Sequence, residues 1–304
     1  MQANPLLKKL GLADNDRVVI LHADDIGMCE TSLAAYADLV DFGLISSAAT
    51  MVPCAWFPAT AQFCREHQDK VDMGVHVTLN SEWTTCRWRP VSTCDPASGL
   101  MDEQGYFHQT LEATRDHADI EAIYQEIKAQ VAQAVQAGID LTHIDSHMYT
   151  IGQRPDFFQS YMRVAMEYQL PVLLLRVQFQ AAQEIVDGRI ADKSLLAITQ
   201  HMKALEEQGW PMLDSIGSTS LSEHKNRLAH VKEIIAGFQP GTINYFIIHP
   251  VKDSPEIRAL TDDWQARVAD YQTFNSKEGR ALFEDAGVRI IGWRVLRDLM
   301  RTGG

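Results

Sequence analysis

The sequence predicts an α/β fold, a (β/α) barrel of seven or eight parallel strands, on three observations. Short apolar runs rich in β-branched residues alternate with longer segments of helical period. The rhythm runs the length of the chain without a linker-like stretch, so one domain over residues 1–304 is expected. The 304 residues, 46% hydrophobic and 22% charged, suit a globular barrel. An open doubly wound sheet is the alternative arrangement of the same elements.

The first strand is "RVVILHA" (17–23), followed by a helix over "TSLAAYADLVDFG" with Thr31 or Ser32 as cap and Gly43 as stop. "LISSAATMV" reads as a strand, "PATAQFCREHQ" as a helix and "VDMGVHVTL" as a strand. Residues 80–110 then break the rhythm: they hold turn formers and no clear period, yet carry Trp83, Trp88, Tyr106 and Phe107. An insertion of that length in a compact domain is expected to be a functional loop or lid. Its aromatics suit either stacking on sugar rings or pinning the loop to the rim.

The alternation resumes with a helix over 117–138 and the strand "IDLTHIDS", then the helix "PDFFQSYMRVAMEYQ" and the strand "PVLLLRVQF". Next come a helix over 193–209, a weak strand at "WPMLDS", a helix over 222–238 and the strand "GTINYFIIH". A helix at "SKEGRALFEDAG" and a strand at "VRIIGW" close the series.

Net charge is −13, with acids spread along the chain, which argues against nucleic acid or an anionic membrane surface as partner. No apolar run approaches the roughly 20 residues of a membrane span. The first residues lack the pattern of a signal peptide, and a cytoplasmic location is expected. Five cysteines, odd in number and without C-x-x-C spacing, indicate neither a disulfide framework nor a zinc–cysteine site.

Barrel enzymes carry their chemistry at the carboxyl ends of the strands. Here those ends read Asp24-Asp25, His76, Asp145 with His147, Arg176, Asp214 and His249, each directly after an apolar run. A lone histidine in such a place is more often packed than functional, and paired acids usually mark a solvated turn. Convergence at one barrel mouth carries the argument. An aspartate and two histidines form an N2O set suited to Zn²⁺, Fe²⁺ or a related ion. A remaining carboxylate and histidine supply a base and an acid, the equipment of metal-assisted hydrolysis. Because side chains alternate along a strand, Asp24 and Asp25 are expected to divide the work, one on the cation and one on a proton. The cation offsets their repulsion.

At these residues the chain resembles the YdjC-like carbohydrate deacetylase family, distantly related to the polysaccharide deacetylases. Four motifs match in order: "HADDIG" against N-A-D-D-F-G, "GVHVTLN" against G-x-H-x-x-L, "THIDSHMY" against T-H-x-D-S-H-x-H, and "IIHP" against a late H-P. The likeness runs from about residue 17 to 297. It implies a polysaccharide-deacetylase-like barrel, one divalent ion (Zn, Mg, Co or similar) on Asp25, His76 and His147, Asp24 as general base and His249 as general acid. The partner implied is a small acetylated sugar, and a homo-oligomer is allowed.

Two departures stand out. His22 replaces the usual Asn and shares a strand face with Asp24, and Tyr149 replaces the second His of H-x-H, bearing on substrate contacts. Among the remaining polar residues, His143 reads equally as a buried structural histidine. Asp145 is expected to orient a metal-bound imidazole. Arg176 is expected to hold the base carboxylate or a substrate oxygen, or to pair with Asp214.

The expected reaction is hydrolytic deacetylation of an acetylated sugar or oligosaccharide. Rival readings are a non-haem iron oxygenase using the "HID" of 143–145 with a distal His, a non-catalytic sugar-binding or regulatory barrel, and a two-carboxylate glycosidase. The last is disfavoured because adjacent acids on opposite strand faces do not oppose one another across a sugar.

Overall fold

The computed structural model describes residues 2–176 and 204–302. Among these are seven strands: β1 (Arg17–Ile26), β2 (Ser47–Thr50), β3 (Met73–Val77), β4 (Leu141–Ser146), β5 (Ser215–Ser218), β6 (Thr242–Ile248) and β7 (Val288–Ile290). All pair in parallel, in the order β4-β3-β2-β1-β6-β5, with β7 also on β1. Single parallel bridges join Val172 to Ile144 of β4, and Leu175 to Leu213 just ahead of β5. Segment 171–176 therefore touches the surroundings of both edge strands.

β1 is the centre of this sheet. From Val18 to Ile26 every residue is buried, as expected of a parallel strand covered on both faces. Helices supply the cover. The longest, Ile120–Gln136, is capped by the Asp119 carboxylate, which accepts from the backbone N–H groups of Glu121 and Ala122. Its buried face includes Ile123, Ile127, Gln130, Val131 and Ala134, the i, i+3, i+4 stripe of a packed helix. The Gln130 amide donates to the Thr78 carbonyl at 2.7 Å and accepts from the Thr78 N–H at 2.9 Å. That contact fixes the chain just beyond the carboxyl end of β3.

Several elements depart from the sequence expectations, each for a local reason. The expected helix over 117–138 starts only at Ile120 and ends at Gln136, because Asp119 serves as its cap, and a separate short helix, Leu111–His117, precedes it. The helix after β1 starts at Glu30, with no side-chain cap from Cys29. Ser32 turns inward instead, accepting from Gly27 N–H and donating to the Cys29 carbonyl. "WPMLDS" is not a strand: only Leu213 bridges, and β5 begins at Ser215. The last strand stops at Ile290 and a helix, Trp293–Arg301, follows. Residues 177–179 of one expected strand and 193–203 of one expected helix lie outside the described residues.

The loop over 80–110 has one short 3₁₀ turn, Pro96–Ser98, and is anchored beside the end of the sheet. Trp83, Trp88, Leu100 and Phe107 are buried. The Trp88 indole donates to the Asn80 carbonyl at 2.6 Å, and the Glu126 carboxylate accepts from the backbone of Val91 and Ser92. Of the two roles open to these tryptophans, pinning is the one their burial supports.

Candidate metal centre

The end of β1 is where the sheet departs from regular geometry. Its register against β2 slips between Ala23 and Ile26, and Asp25 sits at φ 62°, a left-handed conformation that costs most residues energy but that Asp tolerates. Gly27 follows at φ 88°, with space for no side chain: a Cβ there would meet Thr60 Oγ1 at 2.8 Å. The kink breaks the alternation of side chains. Asp24 and Asp25 consequently reach the same histidine, with His76 Nε2 3.8 Å from Asp24 Oδ2 and 3.3 Å from Asp25 Oδ1. Opposite strand faces were expected; the bulge overrides them.

Asp25, His76 and His147 offer one ligand atom each, all within 4.8 Å of one another and all buried. Asp25 Oδ1 is 3.3 Å from His76 Nε2 and 3.1 Å from His147 Nδ1. Ligands about 2.1 Å from a tetrahedral ion stand about 3.4 Å apart, so the donor set and its spacing fit a divalent cation. The other oxygen, Asp25 Oδ2, accepts from Arg267 Nη1 at 2.7 Å, leaving Oδ1 for the ion. His147 Nε2 lies 3.0 Å from Glu82 Oε2 on the 80–110 loop.

The electrostatics follow from these contacts. Burial works to raise the Asp25 carboxyl, yet Arg267, His147 and His76 hold it well below the usual carboxylate range. Burial works to lower His147, but Glu82 and Asp25 push it up to about 10. His76 is raised against burial by Asp24, Asp25 and Asp145.

A second group lies alongside: His22, Asp24 and Asp145 also offer ligand atoms within 4.8 Å of one another. His22 Nε2 is 3.0 Å from Asp24 Oδ1 and 3.4 Å from Asp145 Oδ2. Burial opposes charge on His22, but Asp145 and Asp24 push it up to about 9. Asp145 is fixed by the Tyr245 hydroxyl, which donates to Oδ2 at 2.9 Å, and by the Ser146 N–H on Oδ1. The same Oδ2 lies 3.9 Å from His76 Nδ1, behind the ring. His249 Nε2 is 3.7 Å from Asp24 Oδ2, and its backbone N–H donates to the buried Asp270 carboxylate at 2.9 Å.

Some residues singled out from sequence are elsewhere. Arg176 binds Asp214 at 3.0 Å and Glu206 at 3.1 Å. Asp214 also accepts from the Asn4 amide and the Ile243 N–H, near the start of β6. The expectation of a strand ending at Asp214 put it at the mouth. Because β5 begins only at Ser215, Asp214 and with it Arg176 fall at the opposite end, away from the base carboxylate. His143 is packed: its ring stacks on Trp293 at 5.2 Å and lies against Gly74, where a Cβ would come within 2.5 Å of it. Burial, then the charge on His22, hold it well below the usual histidine range. Neither metal-competent group among the described residues includes it, so the "HID" triad is not assembled. Tyr149 is exposed at φ 55°, two residues beyond His147.

Sequence reasoning missed Glu82, Arg267, Tyr245 and Asp270. Glu82 lies in an aperiodic loop, and Arg267 and Asp270 lie in a helix, Trp264–Phe274, that no apolar stripe announced. Tyr245 reads as an ordinary apolar strand residue.

A family profile described as YdjC-like protein matches residues 18–285. A carbohydrate deacetylase of Thermus thermophilus is 32% identical over 295 residues, 97% of this chain and 99% of that protein. A chitooligosaccharide deacetylase of Yersinia enterocolitica is 26% identical over 172 residues, covering 56% of this chain and 62% of its own length. Among solved structures, an Enterococcus faecalis V583 protein proposed for cellobiose-phosphate cleavage superposes with a TM-score of 0.73 at 18% identity, covering 92% of this chain and 99% of that one. That likeness concerns the fold.

Proposed function

This chain belongs to the YdjC-like protein family, and from that premise we propose that it is a metal-dependent hydrolase removing an acetyl group from an acetylated sugar or oligosaccharide. The names of its relatives support the reaction class. The observation that carries the reading is the buried Asp25–His76–His147 set with Asp24 and His249 beside it.

In this reading Asp25 Oδ1, His76 Nε2 and His147 Nδ1 hold one divalent ion. An ion in that place supplies Lewis acidity to the acetyl carbonyl and lowers the pKa of water. Asp24 accepts the proton of the attacking water through Oδ2, the oxygen that faces His76 and His249. As the C–N bond breaks, His249 gives a proton to the leaving amine and acetate departs. Arg267 keeps Asp25 ionised and turned toward the two histidines. Glu82 sits on the outer side of His147, where carboxylates orient ligating imidazoles, while Asp145 lies 3.9 Å from His76 Nδ1, near the ring without a hydrogen bond to it. The anchored 80–110 loop brings Trp88 within 6.4 Å of the His147 ring.

The test is metal analysis of the purified protein followed by a screen for acetate release over N- and O-acetylated sugars. Stoichiometric metal and acetate release from at least one sugar are expected. Glycan binding with no acetate release, metal supplied, points to the sugar-binding alternative. No metal bound and none taken up overturns the reading.

A further inference from the structure

We propose that His22, Asp24 and Asp145 form a second, weaker divalent-cation site, and that filling it removes Asp24 from service as a base. The inference rests on the role given to Asp24 above only in its second half; the cation site itself rests on geometry.

The spacing is that of ligands around an ion: His22 Nε2 lies 3.0 Å from Asp24 Oδ1 and 3.4 Å from Asp145 Oδ2, matching the separations in the Asp25 set. The alignment is not that of hydrogen bonds. Both His22 Nε2 and Asp24 Oδ1 are fully buried and neither makes a hydrogen bond, despite their proximity. They are an ion pair by distance but misaligned for a direct hydrogen bond, an arrangement that can accept a shared third partner. Buried polar atoms are otherwise nearly always satisfied.

The supports around the group are those of a ligand set. His22 Nδ1 is held by Ser47 Oγ at 3.0 Å, and Ser47 lies 3.5 Å from Asp72 Oδ1. An Nδ1–H donated to that hydroxyl presents the Nε2 lone pair inward, the outer-partner arrangement usual for ligating histidines. Asp145 is clamped at both oxygens by Tyr245 and Ser146.

Asp24 couples the two sites. Oδ1 faces His22, while Oδ2 faces His76 and His249. A cation on Oδ1 draws charge from the whole carboxylate and makes Oδ2 a poorer base, so excess metal inhibits. The site is the weaker one because it lies beside a divalent charge already bound.

The experiment loads metal-free protein with Zn²⁺ in equilibrium dialysis and counts ions by mass spectrometry, with acetate release followed in parallel. Wild type is expected to bind two ions, the second at least tenfold more weakly, with activity rising through the first and falling through the second. His22→Asn and, as a second variant, Asp145→Asn are expected to bind one, with no inhibitory limb relative to their own maxima; circular dichroism checks their folding. Asp25→Ala is expected to lose the tight ion and keep the weak one. Wild type saturating at one ion, His22→Asn still binding two, or a second ion that accelerates the reaction would each overturn the inference. Uptake of no ion at all would instead overturn the proposed function.

Discussion

Glu82 reaches from the 80–110 loop to place Oε2 3.0 Å from His147 Nε2, on the side of the ring away from Asp25. One imidazole is thereby held between a carboxylate of the sheet and a carboxylate of the loop. Losing such an outer partner typically costs 10- to 100-fold in metal affinity. Glu82→Ala is therefore expected to weaken metal binding by roughly that factor, measured by competition with a chromogenic chelator. Unchanged affinity would leave the loop with no part in holding the ion.

Asp24 and Asp25 are neighbours in sequence with different surroundings, and their removal is expected to differ in kind. Asp24→Asn keeps the Asp25, His76 and His147 donors, so the tightly bound ion should stay in place while turnover falls on the order of 10² to 10⁴. Metal analysis and steady-state kinetics on one preparation separate the two effects. Wild-type turnover in this variant would remove Asp24 from the mechanism.

Arg267 and Asp25 form an ion pair whose side chains are each only 4% exposed. Breaking a buried pair from one side leaves a charge without compensation and costs about 3–5 kcal/mol. Arg267→Met is expected to destabilise the metal-free protein by about that much. Divalent metal should recover part of the loss, because the ion supplies positive charge to the same carboxylate. Thermal unfolding with and without metal checks both statements.

The metal-free protein should be sensitive to alkali. His22 and His147 titrate near 9 and 10 in the folded chain, against about 6.5 unfolded. A raised folded-state value stabilises fully below the unfolded value and is lost as pH climbs toward the folded one. Asp25, depressed by Arg267 and the two histidines against burial, acts in reverse: its contribution holds above about 3.9 and fades as pH falls. Melting temperature without metal is thus expected to drop between pH 7 and pH 10. With metal the alkaline drop should be shallower, since the ion takes the place of the protons. Equal alkaline slopes in the two conditions would contradict this.

The residues that sequence located best are those whose signal is an ionisable side chain at the end of an apolar run. Asp25, His76 and His147 all have that context, and they converge because the strands are parallel and their ends share one side of the sheet. The same rule misplaced Asp214. "WPMLD" is as apolar as a strand, but its one bridge at Leu213 precedes β5, so the acid stands before a strand rather than after it. Glu82 and Arg267 were invisible for another reason: each is near the site only through tertiary packing, one from an aperiodic loop and one from a helix of weak amphipathic pattern. His143 sits on the same strand parity as Asp145 and His147, and only the absent side chain of Gly74 and the plane of Trp293 mark it as core.

The left-handed turn at Asp25 has a practical consequence for anyone wishing to move this site. Copying Asp24, Asp25, His76 and His147 onto another parallel sheet would reproduce the side chains but not their meeting. On a regular strand one of the two acids would face the covering helices, and the constellation would be short of a carboxylate. The portable unit is the backbone from Ala23 to Gly27, its register slip against β2 and the side-chain-free space at Gly27 included. A transplant that carries that pentapeptide's geometry has a prospect of assembling the centre; one that carries only its letters does not.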